Sequence, residues 1–253
     1  MKTRLLSVLI AFVWVSFAPA ADSAPVTRQP VLVSVHGAWA GGWQFKKVAT
    51  LLEAKGWKVY RPTLSGLGEH FNTARTDIGL ATHIDDIVNF ILFEDLHDVI
   101  LLGHSYGGMV ITGVADRIPE RISRLVYLDA FLPVDGESVL SMRKAGTLDI
   151  EKMNKDGFII PSWVKPGKPF PKDVPHPLKT FTDPIVLKNP AAAKVPATYI
   201  LTVDKGKKPE DDDFYPSAER AKARGWPLLI MEANHVPMWY LPEATAELLQ
   251  GIH

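Results

Sequence analysis

The sequence contains no cysteine. Disulfide staples, thiol nucleophiles and thiolate metal sites are therefore excluded, and the fold must rest on its hydrophobic core. Neither charge is in excess, since 28 Lys and Arg balance 28 Asp and Glu. That balance gives no electrostatic ground for a nucleic-acid partner or for adhesion to an anionic membrane. Beyond the first twenty residues no apolar run is long enough to span a bilayer, so stable membrane insertion is not expected. Internal repeats and low-complexity tracts are missing as well.

What is present is an ordinary globular composition, 47% hydrophobic with eleven Phe and seven Trp in 253 residues. That length suits one large domain or two small ones. The N-terminus differs from the rest. Lys2 and Arg4 precede an apolar run from Leu5 to Phe17, and Ala18-Pro19-Ala20 follows. A charged start, a short apolar stretch and a small-x-small site predict a signal peptide over residues 1–20, cleaved after Ala20. The protein is then expected to be secreted or periplasmic; an uncleaved anchor is the alternative.

Apolar, β-branched runs alternate with helical periodicity, which predicts an α/β fold with a mostly parallel sheet of six strands. The strands are read at 31–35, 58–61, 99–102, 124–128, 199–202 and 228–231. Between the fourth and fifth the rhythm breaks: ten of the twenty prolines fall between Phe131 and Pro196. A connection that long reads as an inserted cap, with short helices near 138–145 and 190–194. The expected organisation is a core of residues 21–130 and 197–253 carrying a cap of residues 131–196. Trp39, Trp43, Phe131 and Trp163 are candidate pocket residues.

"GHSYG", residues 103–107, matches G-x-S-x-G directly after a strand and before a helix. In that context Ser105 sits at the tip of a tight turn at the carboxyl edge of the sheet, as a candidate nucleophile. A serine hydroxyl needs a base, and the base needs a carboxylate. His235, in "EANHVPMW" after the last strand, is the candidate base. For the acid, Asp204 after the fifth strand is preferred and Asp129 after the fourth is the alternative. The backbone N–H groups of Ala38, in the glycine-rich "HGAWAGGW", and of Tyr106 are candidate oxyanion donors. His36 and His104 are read as packing residues of turns, and His70, His83, His97, His176 and His253 as surface residues. Asp211, Asp212 and Asp213 read as a solvated run with no spacing for a metal shell; no metal and no cofactor is expected.

With "HGAWAGGW", "GHSYGG", "YILTVDKG" and "ANHVPM" in this order, the chain resembles the α/β-hydrolase superfamily, and within it the methyl-salicylate-type esterases, the hydroxynitrile lyases and related bacterial serine esterases. The resemblance implies a triad of Ser105, Asp204 and His235 beneath a cap, and a hydrolase acting on a small, apolar or aromatic carboxylic ester. Hydroxynitrile lyases of this group carry a lysine directly after the catalytic histidine. Val236 stands there in this sequence, which weighs against carbon–carbon lysis. That activity, or a ligand receptor on the same fold, is the alternative function.

Overall fold

The structure is a computed structural model, and it describes residues 29–144 and 149–252. The expected signal peptide lies outside the described residues. The chain runs β1 (Val31–Val35), α1 (Lys46–Glu53), β2 (Lys58–Tyr60), α2 (Leu80–Phe93), β3 (Val99–Ser105), α3 (Gly107–Arg117) and β4 (Ile122–Ala130). The insertion that follows holds the short helices α4 (Val139–Met142) and α5 (Ile150–Met153). Strands β5 (Asn154–Lys155), β6 (Phe158–Ile159) and β7 (His176–Pro177) and helix α6 (Lys179–Thr182) complete its regular elements, with a 3-10 turn at Pro190–Lys194. The chain returns through β8 (Ala197–Val203), α7 (Tyr215–Ala223), β9 (Leu228–Glu232), α8 (Pro237–Tyr240) and α9 (Pro242–Gln250).

Six strands form one sheet in the order β2-β1-β3-β4-β8-β9, and every neighbouring pair is parallel. Parallel strands covered on both faces read as unbroken apolar runs, and alternate residues divide between two cores. Val33, Val35, Val99 and Leu101 join one cluster; Leu32, Ile100, Leu102, Val126 and Leu128 join the other. Each large aliphatic side chain sealed in this way contributes about 1.5–3 kcal/mol of burial free energy.

The insertion contains a small antiparallel sheet, β5-β6-β7, which the sequence reading does not include. Its strands are two residues long, below the length at which alternation shows. Cap residues Ile150, Ile159, Val174, Phe181 and Ile185 belong to the same apolar cluster as Tyr106, Met109 and Leu64. The cap is thus packed onto the carboxyl edge of the sheet and continues its core.

Candidate active site

Ser105 ends β3 with φ of 54°, in the left-handed region that costs a non-glycine residue strain. The turn is enforced by its neighbours. A Cβ on Gly107 would lie 2.5 Å from the carbonyl oxygen of Val35, so only glycine lets α3 start this close to β1. The serine is buried but opens onto a cavity of about 530 Å³.

Ala38 and Tyr106 line the same cavity. Among the described residues neither backbone N–H has a protein partner, which leaves both free to donate to a ligand oxygen. The peptide carrying the Ala38 N–H is aimed by His36. The Leu64 N–H donates to His36 Nε2 at 3.1 Å, so the proton sits on Nδ1, which donates to the Gly37 carbonyl at 2.8 Å. In a trans peptide C=O and N–H point opposite ways, so holding the Gly37 oxygen turns the Ala38 N–H away from His36. Burial lowers the His36 pKa to about 4, keeping it neutral in that role.

His235 Nδ1 donates to Asp129 Oδ2 at 2.6 Å. The preference for Asp204 is therefore corrected: Asp129 is the carboxylate that meets the imidazole. The reason lies in the end of β4. His104 pairs with Leu128 and Ser105 with Ala130, so Asp129 is bulged out of the ladder, at φ of 46°. A bulge re-aims the side chain it carries. Tyr199 fixes the bulge from the next strand, its hydroxyl donating to the Ala130 carbonyl at 2.6 Å and accepting from the Ala130 N–H at 3.1 Å. The other Asp129 oxygen accepts from the Thr202 N–H at 3.1 Å. Asp129 is fully buried, and an unpaired carboxylate there would cost several kcal/mol. Asp204 is exposed and lies on the cavity rim; its carbonyl accepts from the Lys207 N–H in a surface turn.

The imidazole of His235 is held between two rings. Phe214 stacks on one side with centroids 4.9 Å apart and planes 5° apart, and His104 packs at 4.6 Å. His104 Nε2 also donates to the His235 carbonyl at 2.7 Å. The His235 side chain keeps 42% of its surface open, yet the crowding of protein around it lowers its pKa. The hydrogen bond and charge of Asp129, with Asp212 and Asp213 beyond, outweigh that, and the net shift is upward. Burial, reinforced by Asp129, pushes the Asp212 carboxyl up to about 6.

Of the predicted pocket residues, Trp39, Phe131 and Trp163 line the cavity. Trp43 does not; its ring packs edge-on against Trp239 at 5.2 Å. Two histidines read as surface residues are fully buried, His83 and His176. His83 lies on the apolar face of α2 beside Ile84 and Ile87, where the helical spacing could have located it. Among the described residues no group of three His, Asp or Glu side chains is gathered as a metal ion would require, and no helix is long and apolar enough to cross a membrane.

Comparison with known proteins agrees with this fold. Residues 32–248 match the alpha/beta hydrolase family. A carbendazim hydrolyzing esterase of Nocardioides sp. is 35% identical over 87% of this chain and 98% of its own length. The pFDCC methylesterase MES16 of Arabidopsis thaliana is 29% identical over 88% of this chain and 95% of its own. Among solved structures, an extracellular alpha/beta-hydrolase from a Paenibacillus species superposes with a TM-score of 0.73 at 25% identity, over 88% of this chain and 98% of that one. It is described as sharing structural and functional homology with tobacco salicylic acid binding protein 2.

Proposed function

The chain belongs to the alpha/beta hydrolase family and is an enzyme of the esterase type, and from that premise we propose that it is a serine carboxylic-ester hydrolase working through an acyl-serine intermediate. The observation that carries the reading is the pairing of His235 with buried Asp129, in the cavity that the strained Ser105 opens onto.

His235 takes the proton of the Ser105 hydroxyl as Oγ attacks the ester carbonyl, and the Ala38 and Tyr106 N–H groups receive the oxyanion. His235 then returns the proton to the leaving alkoxide, and the alcohol departs. Water, deprotonated by the same imidazole, attacks the acyl-serine and releases the acid. Asp129 fixes the imidazole tautomer, with the proton on Nδ1, and stabilises the imidazolium formed in each half-reaction. Oxyanion donors of this kind are each worth about 3 kcal/mol of barrier.

Trp39, Phe131, Trp163 and Phe214 give the cavity aromatic walls, which favours a small apolar or aromatic ester. Val236 also lines it; its apolar side chain offers departing cyanide no charge, which disfavours the lyase alternative. Hydrolysis of short aryl and methyl esters tests the reading: Ser105→Ala should lose activity and fluorophosphonate labelling, and unchanged turnover in that variant would refute it.

Export belongs to the same proposal, with Lys2, Arg4, the apolar run and Ala18-Pro19-Ala20 as its support. N-terminal sequencing of protein recovered outside the cytoplasm should begin at Ala21. An intact Met1 on that protein would remove this part.

A further inference from the structure

We propose that His176, a residue of the cap, is a positioning residue for the oxyanion donor Ala38, so that the cap completes the site rather than merely covering it. The inference rests on the esterase reading above. Its basis is the way Trp39 is held. Trp39 has φ of 63°, a conformation that a bulky side chain adopts only when its surroundings over-determine it.

All three polar groups of Trp39 are tied to the cap. Its backbone N–H donates to His176 Nδ1 at 3.0 Å, its carbonyl accepts from the Val174 N–H at 2.8 Å, and its indole Nε1–H donates to the Ile159 carbonyl at 3.0 Å. Its ring packs against Trp163, Phe181 and His176, with centroids 4.9, 5.6 and 6.1 Å away.

The consequence for Ala38 is geometric. His36 holds the peptide between Gly37 and Ala38, and His176 holds the peptide between Ala38 and Trp39. With both planes anchored, the direction of the Ala38 N–H is set from two sides, one by the core and one by the cap.

The chemistry of His176 supports a positioning role over a packing one. A backbone N–H only donates, so Nδ1 must be the acceptor and the ring proton sits on Nε2. That Nε2 is buried without a protein partner among the described residues, against the rings of Tyr106 and Phe181. A carbocyclic ring would fill this space without stranding a donor. What it could not do is accept from Trp39.

The test compares His176→Phe, which keeps a ring and removes the acceptor, with His176→Asn, whose amide oxygen falls close to the place of Nδ1. For a short aryl ester, His176→Phe should lower kcat about 10- to 100-fold, the scale of a misplaced catalytic group, with KM within about threefold. Affinity for a boronic acid that forms a tetrahedral serine adduct should weaken in parallel. Hydrogen exchange at the Trp39 amide should quicken, and His176→Asn should recover all three. Unchanged kcat and boronic acid affinity in His176→Phe, or an Asn variant as poor as Phe, would overturn the proposal. If His176→Phe does not fold, His176→Gln takes its place, since its amide reaches past the Nδ1 position. Ser105→Ala separates the two levels: activity retained there removes the esterase reading. The Trp39 exchange rate still judges the contact in that event, and unchanged exchange would refute it.

Discussion

Strands β4 and β8 lie side by side, run the same way and each deliver an aspartate to the same edge of the sheet, yet the two ends are built differently. β4 bulges at its last turn, puts Asp129 into the left-handed region and buries it completely. β8 runs straight to Val203 and releases Asp204 into an exposed turn. Position along the strand is therefore not what selects the acid. Burial is: a carboxylate without solvent must be given donors, and Asp129 has the Thr202 N–H and the His235 imidazole.

Removing the charge at the β4 end should have the largest effect. Asp129→Asn leaves the shape and takes away the group that fixes the His235 tautomer, so kcat should fall about 10³- to 10⁴-fold, the loss typical of a triad aspartate turned into an amide. Steady-state kinetics on an aryl ester measure it. A loss under tenfold would mean that the buried pair is structural.

A second strain on the same region is steric. A Cβ on Gly108 would lie 2.1 Å from the carbonyl oxygen of Phe131, two residues past Asp129. That oxygen is backbone and cannot swing aside. Gly108→Ala should therefore destabilise the protein by about 3 kcal/mol, read from chemical denaturation midpoints. A change below 1 kcal/mol would show that the end of β4 yields more readily than its packing implies.

The pH profile sharpens the comparison further. His235 acts as a base only when neutral, and its net pKa is raised above the ordinary 6.5. Activity should therefore be full well above that value and fall as pH drops through it, with the acid limb of kcat/KM lying above pH 6.5. Asp129→Asn removes the main upward influence and leaves the crowding that lowers the pKa. The limb of its residual activity should move to lower pH. A limb that stays in place would assign the titration to another group.

The difference between the two strand ends also marks what the sequence makes legible. The strained turn at Ser105, the glycine-rich loop at Ala38 and the place of His235 beside the same cavity are readable because they sit in local patterns: glycines around a serine, glycines after a strand, a histidine after the last strand. The carboxylate that meets His235 is not, because its place depends on a bulge that only the pairing of β3 with β4 creates. A signal was present all the same. Asp129 is the one charged residue in the buried run Leu125–Ala130, whereas Asp204 opens a polar stretch, "DKGKKPEDDD". His83 was legible on the apolar stripe of α2. His176 was not, since it lies in a proline-rich segment whose two-residue strands carry no periodicity.

The smallest expected effect belongs to the β8 end. Asp204→Asn removes one exposed charge from the cavity rim and no hydrogen bond to His235. Exposed charges interact through high dielectric and are screened by salt, so single changes among them are worth at most about 1 kcal/mol. For kcat this means a change within about fivefold, shrinking as ionic strength rises, with the acid limb unmoved. The cavity lining also holds Asp173, Asp211, Asp212 and Asp213, with Arg143 and Lys144, so the substitution removes one carboxylate of five. A thousandfold loss in Asp204→Asn would reverse the assignment and make β8 the strand that supplies the acid. A small loss, set beside the collapse expected for Asp129→Asn, would leave the bulge at the end of β4 as the feature that builds the site.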